Sequence, residues 1–426
     1  MLDINLIRKN SEYVKKNLEI RGNPANLINL NELIHHDNEW RQLLTTLNNL
    51  RHRLKLTTKK IATFKKEKKD VGQELLYAKK LGEQIGFFEE KKREKEEQRR
   101  ACLLRIPNLM DESVPKGNIN VQLKKWGKIP TFTFPVKNHI DLGLKLDIID
   151  LERAGKVAGA RFFYLKGNGV ILELALINFA LRELLNKGYK AIEPPFLMRK
   201  KPYEGATALN DFQEDLYKIE NEDLYLIATS EHPIAAMFMD EILTEEALPM
   251  RFVGISTNFR KEAGSHSKDT RGIFRTHQFN KVEQFAFCKP EESEKIHEEL
   301  LKNSEDLIKK IGLPYRVMNI CAEDIGTFAS KKYDIEAWMP AQKAYGEIIS
   351  CSNFRDYQAR RLNIRYREKE GQTPKGFVHT LNATAIATGR TIVSILENYQ
   401  QKDGSVTIPK GLRRHMNNIK KIAPPL

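Results

Sequence analysis

Residues 251–287 carry charged side chains where strands ordinarily do not. Two runs, 251–262 and 278–287, read as strands, and the polar segment between them is too long for a tight turn. Alternate residues of a strand share a face, so Arg260 and Glu262 point one way on the first run. On the second, Phe279, Glu283, Phe285 and Phe287 share a face. One sheet face therefore mixes aromatic rings with charges of both signs. Burying such charges is costly unless they are paired or meet a ligand. An internal salt-bridge network is one reading. The other is a cleft for a zwitterion beside a nucleotide, because Arg grips a carboxylate or phosphate in a fork, Glu holds an ammonium, and Phe stacks on a purine.

The elements that must hold this face start near Phe162, where short strands and turn signals alternate with amphipathic helices. The runs 216–219 and 224–227 flank a Glu-Asn-Glu-Asp turn and read as a hairpin. There is no βαβ rhythm, no GxGxxG and no Gly-rich loop ending in Lys-Ser/Thr, which disfavours Rossmann and P-loop nucleotide sites. Residues 170–185 are the most apolar stretch, but Glu173 and Arg182 interrupt it, so it reads as a buried helix and not a membrane span.

Upstream the texture differs. A helical lead-in stops at Arg21-Gly22-Asn23-Pro24, and a charged, proline-free segment follows over 28–104. Leu33, Trp40, Leu47, Leu54 and Ile61 recur every seven residues, with His36, Leu43, Leu50, Thr57 and Phe64 at the companion position. That narrow seam suits a coiled coil. Charge and glycine over 65–72 break it, and Leu75, Leu81, Ile85 and Phe88 mark a second helix, giving an antiparallel hairpin about 55 Å long for a helix of about 37 residues. Residues 51–69 hold nine Lys or Arg and one Glu, which is either a solvated face or a nucleic-acid contact. Residues 107–150, rich in Pro, Gly and Asn, read as a linker with short strands and turns that leads into the second part of the chain.

The whole chain has 426 residues and a formal charge of +15, which favours a polyanionic partner. Its four cysteines sit at no zinc spacing and make no disulfide framework, and the N-terminus has no apolar signal region, so a reduced, cytoplasmic setting is expected.

Longer motifs sharpen the reading. Phe259-Arg260-Lys261-Glu262, a variable loop, then Arg275-x-x-x-Phe279-x-x-x-Glu283 resembles motif 2 of the class II aminoacyl-tRNA synthetases (259–283). Residues 188–197, with Gly188, Tyr189, Ile192, Pro195, Phe196 and Leu197, look like motif 1, the dimer element of that class. Residues 382–400, from Asn382 through Thr384 to Arg390, look like motif 3, although Ala385 and Ala387 stand where glycines often occur. Thr229-Ser230-Glu231, the segment 347–353 (EIISCSN) and the N-terminal hairpin resemble the seryl-tRNA synthetase family, and the resemblance spans nearly the whole chain.

The resemblance implies an α+β fold: an antiparallel-sheet class II catalytic domain (151–426) behind an N-terminal tRNA-binding domain (1–106) with an antiparallel α-helical coiled-coil arm. It implies ATP-dependent activation of L-serine with Mg²⁺, transfer to tRNA(Ser), tRNA(Sec) as a second acceptor to test, and a homodimer. Arg260 would bridge the serine carboxylate and the α-phosphate, and Arg390 would approach the base and γ-phosphate. Thr229, Ser230, Glu231, Glu283 and Thr384 would bind serine. Lys261, Glu262, Phe279, Glu347, Ile348, Ile349 and Ser350 would join both arginines around ATP, with Glu347 the Mg²⁺ ligand. Arg51, Arg53, Lys55, Lys59, Lys60, Lys65 and Lys66 would meet tRNA phosphates, and Lys268, Asp269 and Arg271 the acceptor end. Cys351 and His277 read as structural. The alternative is a synthetase-derived RNA-binding protein without activity, which loss of Arg260, Glu283 or Arg390 would have marked; all three are present.

Overall fold

The computed structural model describes residues 1–208, 215–262 and 272–425. Arg271, Lys268 and Asp269 lie outside the described residues. The chain divides into two compact units, Met1–Pro107 and Asn108–Leu426.

In the first unit the lead-in is two helices, α1 (Ile4–Lys9) and α2 (Ser11–Ile20). Asn10 separates them, and its side chain accepts from the Tyr13 N–H to cap α2. The hairpin is α3 (Ala25–Lys66) and α4 (Gly72–Arg105). All ten heptad positions of α3 are buried or half-buried, as the narrow seam predicts. The seam of α4 differs from expectation. Leu75 is 48% exposed. Glu74, Ala78, Leu81, Ile85, Phe88, Lys92, Lys95, Arg99 and Cys102 face inward at alternating spacings of four and three instead. The charged members bury their stems and pair across the seam: Glu74 with Lys60 (2.9 Å), Lys95 with Glu39 (2.9 Å) and Arg99 with Asp37 (3.1 Å). Arg8 also grips Asp37 through two nitrogens, each at 2.7 Å. Burial would raise the Asp37 carboxyl, but the two arginines outweigh it and hold it below the usual carboxylate range.

The second unit is built on an eight-stranded sheet: β1 (Val121–Trp126), β2 (Lys190–Ile192), β3 (Met250–Phe259), β4 (Gln278–Cys288), β5 (Tyr315–Asn319), β6 (Lys331–Met339), β7 (Ala344–Arg355) and β8 (His379–Ala387). The spatial order is β1-β5-β6-β7-β8-β4-β3-β2. Every pair is antiparallel except the edge pair β2–β3, which is parallel. Helices α5 (Asn168–Leu185), α6 (Glu231–Ala236), α7 (Ser293–Ile311) and α8 (Thr388–Asn398) flank it.

The two-residue period of β4 divides the core. Val282, Ala286 and Cys288 enter the main apolar cluster with Leu300, Leu307 and Ile308 of α7. Phe285 and Phe287 face the other way into a second cluster with Phe252 and Ile234. Gly254 makes that second cluster possible. A Cβ there would stand 2.6 Å from Ile234 Cδ1 and 2.9 Å from Ser230 Oγ, so only glycine lets α6 lie this close to β3.

Helix α5 corrects the expectation of a fully buried segment. Leu172, Ala175, Leu176, Phe179 and Leu184 are buried, but Leu174 is 56% exposed and Val170, Ile171 and Leu185 are exposed beside it. The 216–227 hairpin closes through one bridge, Lys218 opposite Tyr225. No helix among the described residues is long and apolar enough to cross a membrane.

Candidate active site

Strand β3 ends at Phe259, so Arg260 and Glu262 lie past it and strand alternation does not orient them. Other contacts do. The Arg260 N–H donates to His277 O (2.9 Å), and His277 Nδ1 lies 2.8 Å from Arg260 O. The Arg260 Nε donates to Ala228 O (3.2 Å), and its guanidinium lies 5.2 Å from the Phe279 ring centroid. Glu262 adopts a left-handed backbone (φ 53°) and its carboxylate pairs with Arg275. His277 is thus a structural anchor.

These groups open on a cavity of about 580 Å³. One end is lined by Thr229, Glu231, His232, Lys281, Asn382 and Thr384. Glu283 sits just beneath, fully buried, with Lys281 Nζ 2.8 Å from its Oε2. Lys281 also donates to Thr229 Oγ1 (2.7 Å), and Asn382 Nδ2 donates to Glu231 Oε2 and Glu283 Oε1, both at 2.8 Å. Gln358 Nε2 holds the other oxygen of Glu231 at 2.9 Å. Burial and the neighbouring Glu283 push the Glu231 carboxyl up to about 7. Burial, with Arg260 and Lys281 nearby, pushes the His232 imidazole down to about 3. Lys281 pairs with Glu283, whereas Glu231 is held by the neutral amides of Gln358 and Asn382, which leaves its charge to be met by a bound cation.

The other end is lined by Arg260, Arg275, Lys332 and Arg390, with Glu262 and Glu347. Arg390 Nη1 donates to Glu347 Oε1 (3.0 Å) and its guanidinium lies 5.3 Å from the Phe274 ring centroid. Partial withdrawal from water would raise the Glu347 carboxyl, but Arg390 and Lys332 outweigh it and hold it low. Burial and the nearby Arg390 lower Arg260, the mark of a crowded cationic site that favours an anion. Helix α8 begins here with no side-chain cap, leaving its first N–H groups available to an anion. Gly389 lets the backbone at Ile273 pack against this helix start, because a Cβ there would stand 2.7 Å from Ile273 O.

Strand β7 carries a bulge: Ile349 pairs with Ile335 and Glu347 with Glu336, leaving Ile348 extra. Glu347, Ile348 and Ser350 therefore all reach the cavity, Ile348 while also packing in the main core, whereas Ile349 lies in that core alone. Three other expected residues also stay off the cavity wall. Ser230 is buried against β3, Lys261 turns outward with its ammonium 5.7 Å from the Tyr217 ring centroid, and Glu283 lies below. The expectations missed Lys281, Asn382, His232, Arg275 and Lys332. Lys281 was findable, since it shares parity with Phe279 and Glu283; Lys332 emerges only from its register opposite Ser352. Cys351 is a packed thiol pushed up by burial.

On the arm, Arg51 pairs with Glu89, Arg53 bonds to Tyr77 and Lys60 pairs with Glu74. Lys55, Lys59, Lys65 and Lys66 are exposed and have no ion-pair partner among the described residues.

Comparison with known proteins agrees with this geometry. The profile of the seryl-tRNA synthetase N-terminal domain matches residues 1–110, and that of the class II tRNA synthetase core domain (G, H, P, S and T) matches residues 215–399. The serine–tRNA ligase of Methanoregula boonei is 49% identical over 98% of this chain and 99% of its own. The crystal structure of the Pyrococcus horikoshii seryl-tRNA synthetase complexed with ATP superposes with a TM-score of 0.96 at 44% identity, covering all of both chains. The cytoplasmic serine–tRNA ligase of Naegleria fowleri in complex with AMP gives a TM-score of 0.90 at 34% identity over 100% of this chain and 99% of that one. The chain belongs to the seryl-tRNA synthetase family.

Proposed function

We propose that the protein activates L-serine with ATP and transfers it to tRNA(Ser). One observation carries the reading: a single cavity joins a carboxylate-rich end, sized for a small ammonium-bearing substrate, to a cationic end suited to a triphosphate. The serine carboxylate attacks the α-phosphorus to give seryl-adenylate and pyrophosphate. The terminal ribose hydroxyl of the tRNA then attacks the acyl carbon. Neither step needs a protein nucleophile, so catalysis is positioning and charge stabilisation.

Glu231 accepts from the serine ammonium, the buried Glu283 adds negative charge beneath it while orienting Lys281 and Asn382, and Thr229 and Thr384 complete the wall around the hydroxyl. Arg260 grips carboxylate and α-phosphate together. Phe279 and Arg390 hold the base and terminal phosphate, and Glu262 lies by the nucleoside. Glu347 and Ser350 offer hard oxygen donors that would hold Mg²⁺, and the ion would neutralise phosphate charge when bound. The free lysines of the arm meet tRNA phosphates. The exposed apolar stripe of α5, beside edge strand β2, supports a homodimer, and the chain works in the cytoplasm.

ATP–pyrophosphate exchange without tRNA, comparing serine, threonine, alanine and glycine, tests the reading. Exchange with serine alone is expected, because a site that bonds the hydroxyl leaves polar groups unpaired when it is missing. No exchange from folded, ATP-binding protein would instead mean an inactive RNA-binding relative. Charging of tRNA(Ser) and tRNA(Sec) transcripts side by side defines the acceptors.

A further inference from the structure

We propose that His35, His36 and Glu39 of α3 form a binding site for one zinc-class divalent cation. Glu39 lies one helical turn from both histidines, at i+4 from His35 and i+3 from His36, so its carboxylate reaches both rings. Glu39 Oε2 is 3.4 Å from His35 Nε2 and 3.5 Å from His36 Nδ1, and the three ligand atoms lie within 4.8 Å of one another. Metal–nitrogen and metal–oxygen bonds of about 2.0–2.2 Å at tetrahedral angles put ligand atoms about 3.3–3.5 Å apart. Two of the three separations already match.

His36 Nδ1 is sealed from water and makes no well-formed hydrogen bond, its nearest polar neighbour being Glu39 Oε2 at 3.5 Å, a weak pairing that a metal bridging the two atoms would replace. The His35 side chain is 68% exposed, which leaves an entry path and a water-filled fourth position. Two imidazoles and a carboxylate are borderline donors that suit zinc over magnesium or calcium. The site now holds a different cation: the Lys95 ammonium, 2.9 Å from Glu39 Oε2. A partly exposed pair of this kind is weak. Zinc therefore displaces Lys95 and opens one of the ion pairs that tie α3 to α4.

Untagged, metal-free full-length protein would be titrated with Zn²⁺ against a chromogenic chelator. Wild type should take up one equivalent that His35→Ala and His36→Ala each lose, while Lys95→Met binds it more tightly because the competing cation is gone. Far-UV circular dichroism and a thermal unfolding curve matching wild type would show that the arm of each variant is folded. Unchanged uptake in the two histidine variants, or none in wild type, overturns the site. Unchanged affinity in Lys95→Met removes Glu39 from the ligand set.

Discussion

Serine affinity should depend on pH through Glu231, and Glu231→Gln should erase that dependence. Burial and Glu283 push the Glu231 carboxyl up to about 7 in the substrate-free protein. If only the ionised form holds the serine ammonium, the apparent KM scales as one plus the ratio of protonated to ionised carboxyl. Between pH 8 and pH 6 that is a rise of roughly tenfold. Glutamine carries no charge at either pH, so the profile becomes flat. Its KM at pH 8 rises by the loss of a charge-assisted bond, about 1.5–3 kcal/mol or roughly 10- to 150-fold. Glu283→Gln removes the repulsion that Glu231 feels, so its KM profile should move to lower pH even though absolute affinity also falls. The sign for stability follows. The folded value lies above the ordinary 4.5, so the substrate-free protein loses stability from this group as pH rises from about 4.5 to about 7. Serine should therefore raise Tm more at pH 8 than at pH 6. The assay is steady-state exchange at saturating MgATP, with KM for ATP measured separately at each pH. A serine KM that is constant from pH 6 to 8 in wild type, or a midpoint unmoved by Glu283→Gln, would refute the reasoning.

Arg260→Ala should abolish exchange while far-UV circular dichroism stays unchanged; residual exchange within tenfold of wild type would remove Arg260 from the reaction. Replacing residues 38–94 by a short Gly/Ser linker should spare exchange and abolish tRNA charging, and loss of both steps in a folded variant would contradict the division of labour. Leu174→Lys on the exposed stripe of α5 should give a monomer by light scattering at micromolar concentration, whereas an unaltered dimer would place the interface elsewhere.

The α3 seam was legible because one apolar stripe repeats at a fixed interval, and burial follows that interval from Leu33 to Phe64. The α4 seam was not, because Glu74, Lys92, Lys95 and Arg99 bury methylene stems while their charged heads pair, and polarity scales count only the heads. On β4 the two-residue period holds throughout, so Phe279 and Glu283 were placed on the correct face and Lys281 lay between them unread. On β7 the bulge at Ile348 breaks the period. Unbulged, Glu347 and Ser350 would face opposite ways; bulged, they reach one cavity and Ile349 turns into the core. A bulge has no reliable mark in a single sequence. The motif-level resemblance found Glu347 and Ser350 without needing the backbone, and for the same reason could not tell Ile348 from Ile349.

In the proposed reaction Arg260 joins the two halves of the chemistry, and its surroundings explain why a lysine would not serve. The cavity gathers Arg260, Arg275, Lys332 and Arg390 beside Glu262 and Glu347, with Asp215 and Asp324 also on its wall, and sets Glu231 and Glu283 beside Lys281 at the other end. The guanidinium groups cluster where a triphosphate would lie, and the Glu231–Glu283 pair where an ammonium would lie. A zwitterion placed with its ammonium toward Glu231 and Glu283 turns its carboxylate toward Arg260, the direction in which a triphosphate also offers its α-phosphate. Two anions can approach each other there only if one fixed cation lies between them. The reciprocal pairing of Arg260 with the His277 backbone and ring fixes that cation at the point where β3 has ended and strand pairing no longer holds it. The planar fork then addresses two oxygens on separate molecules at once, which a single ammonium on a flexible stem cannot do.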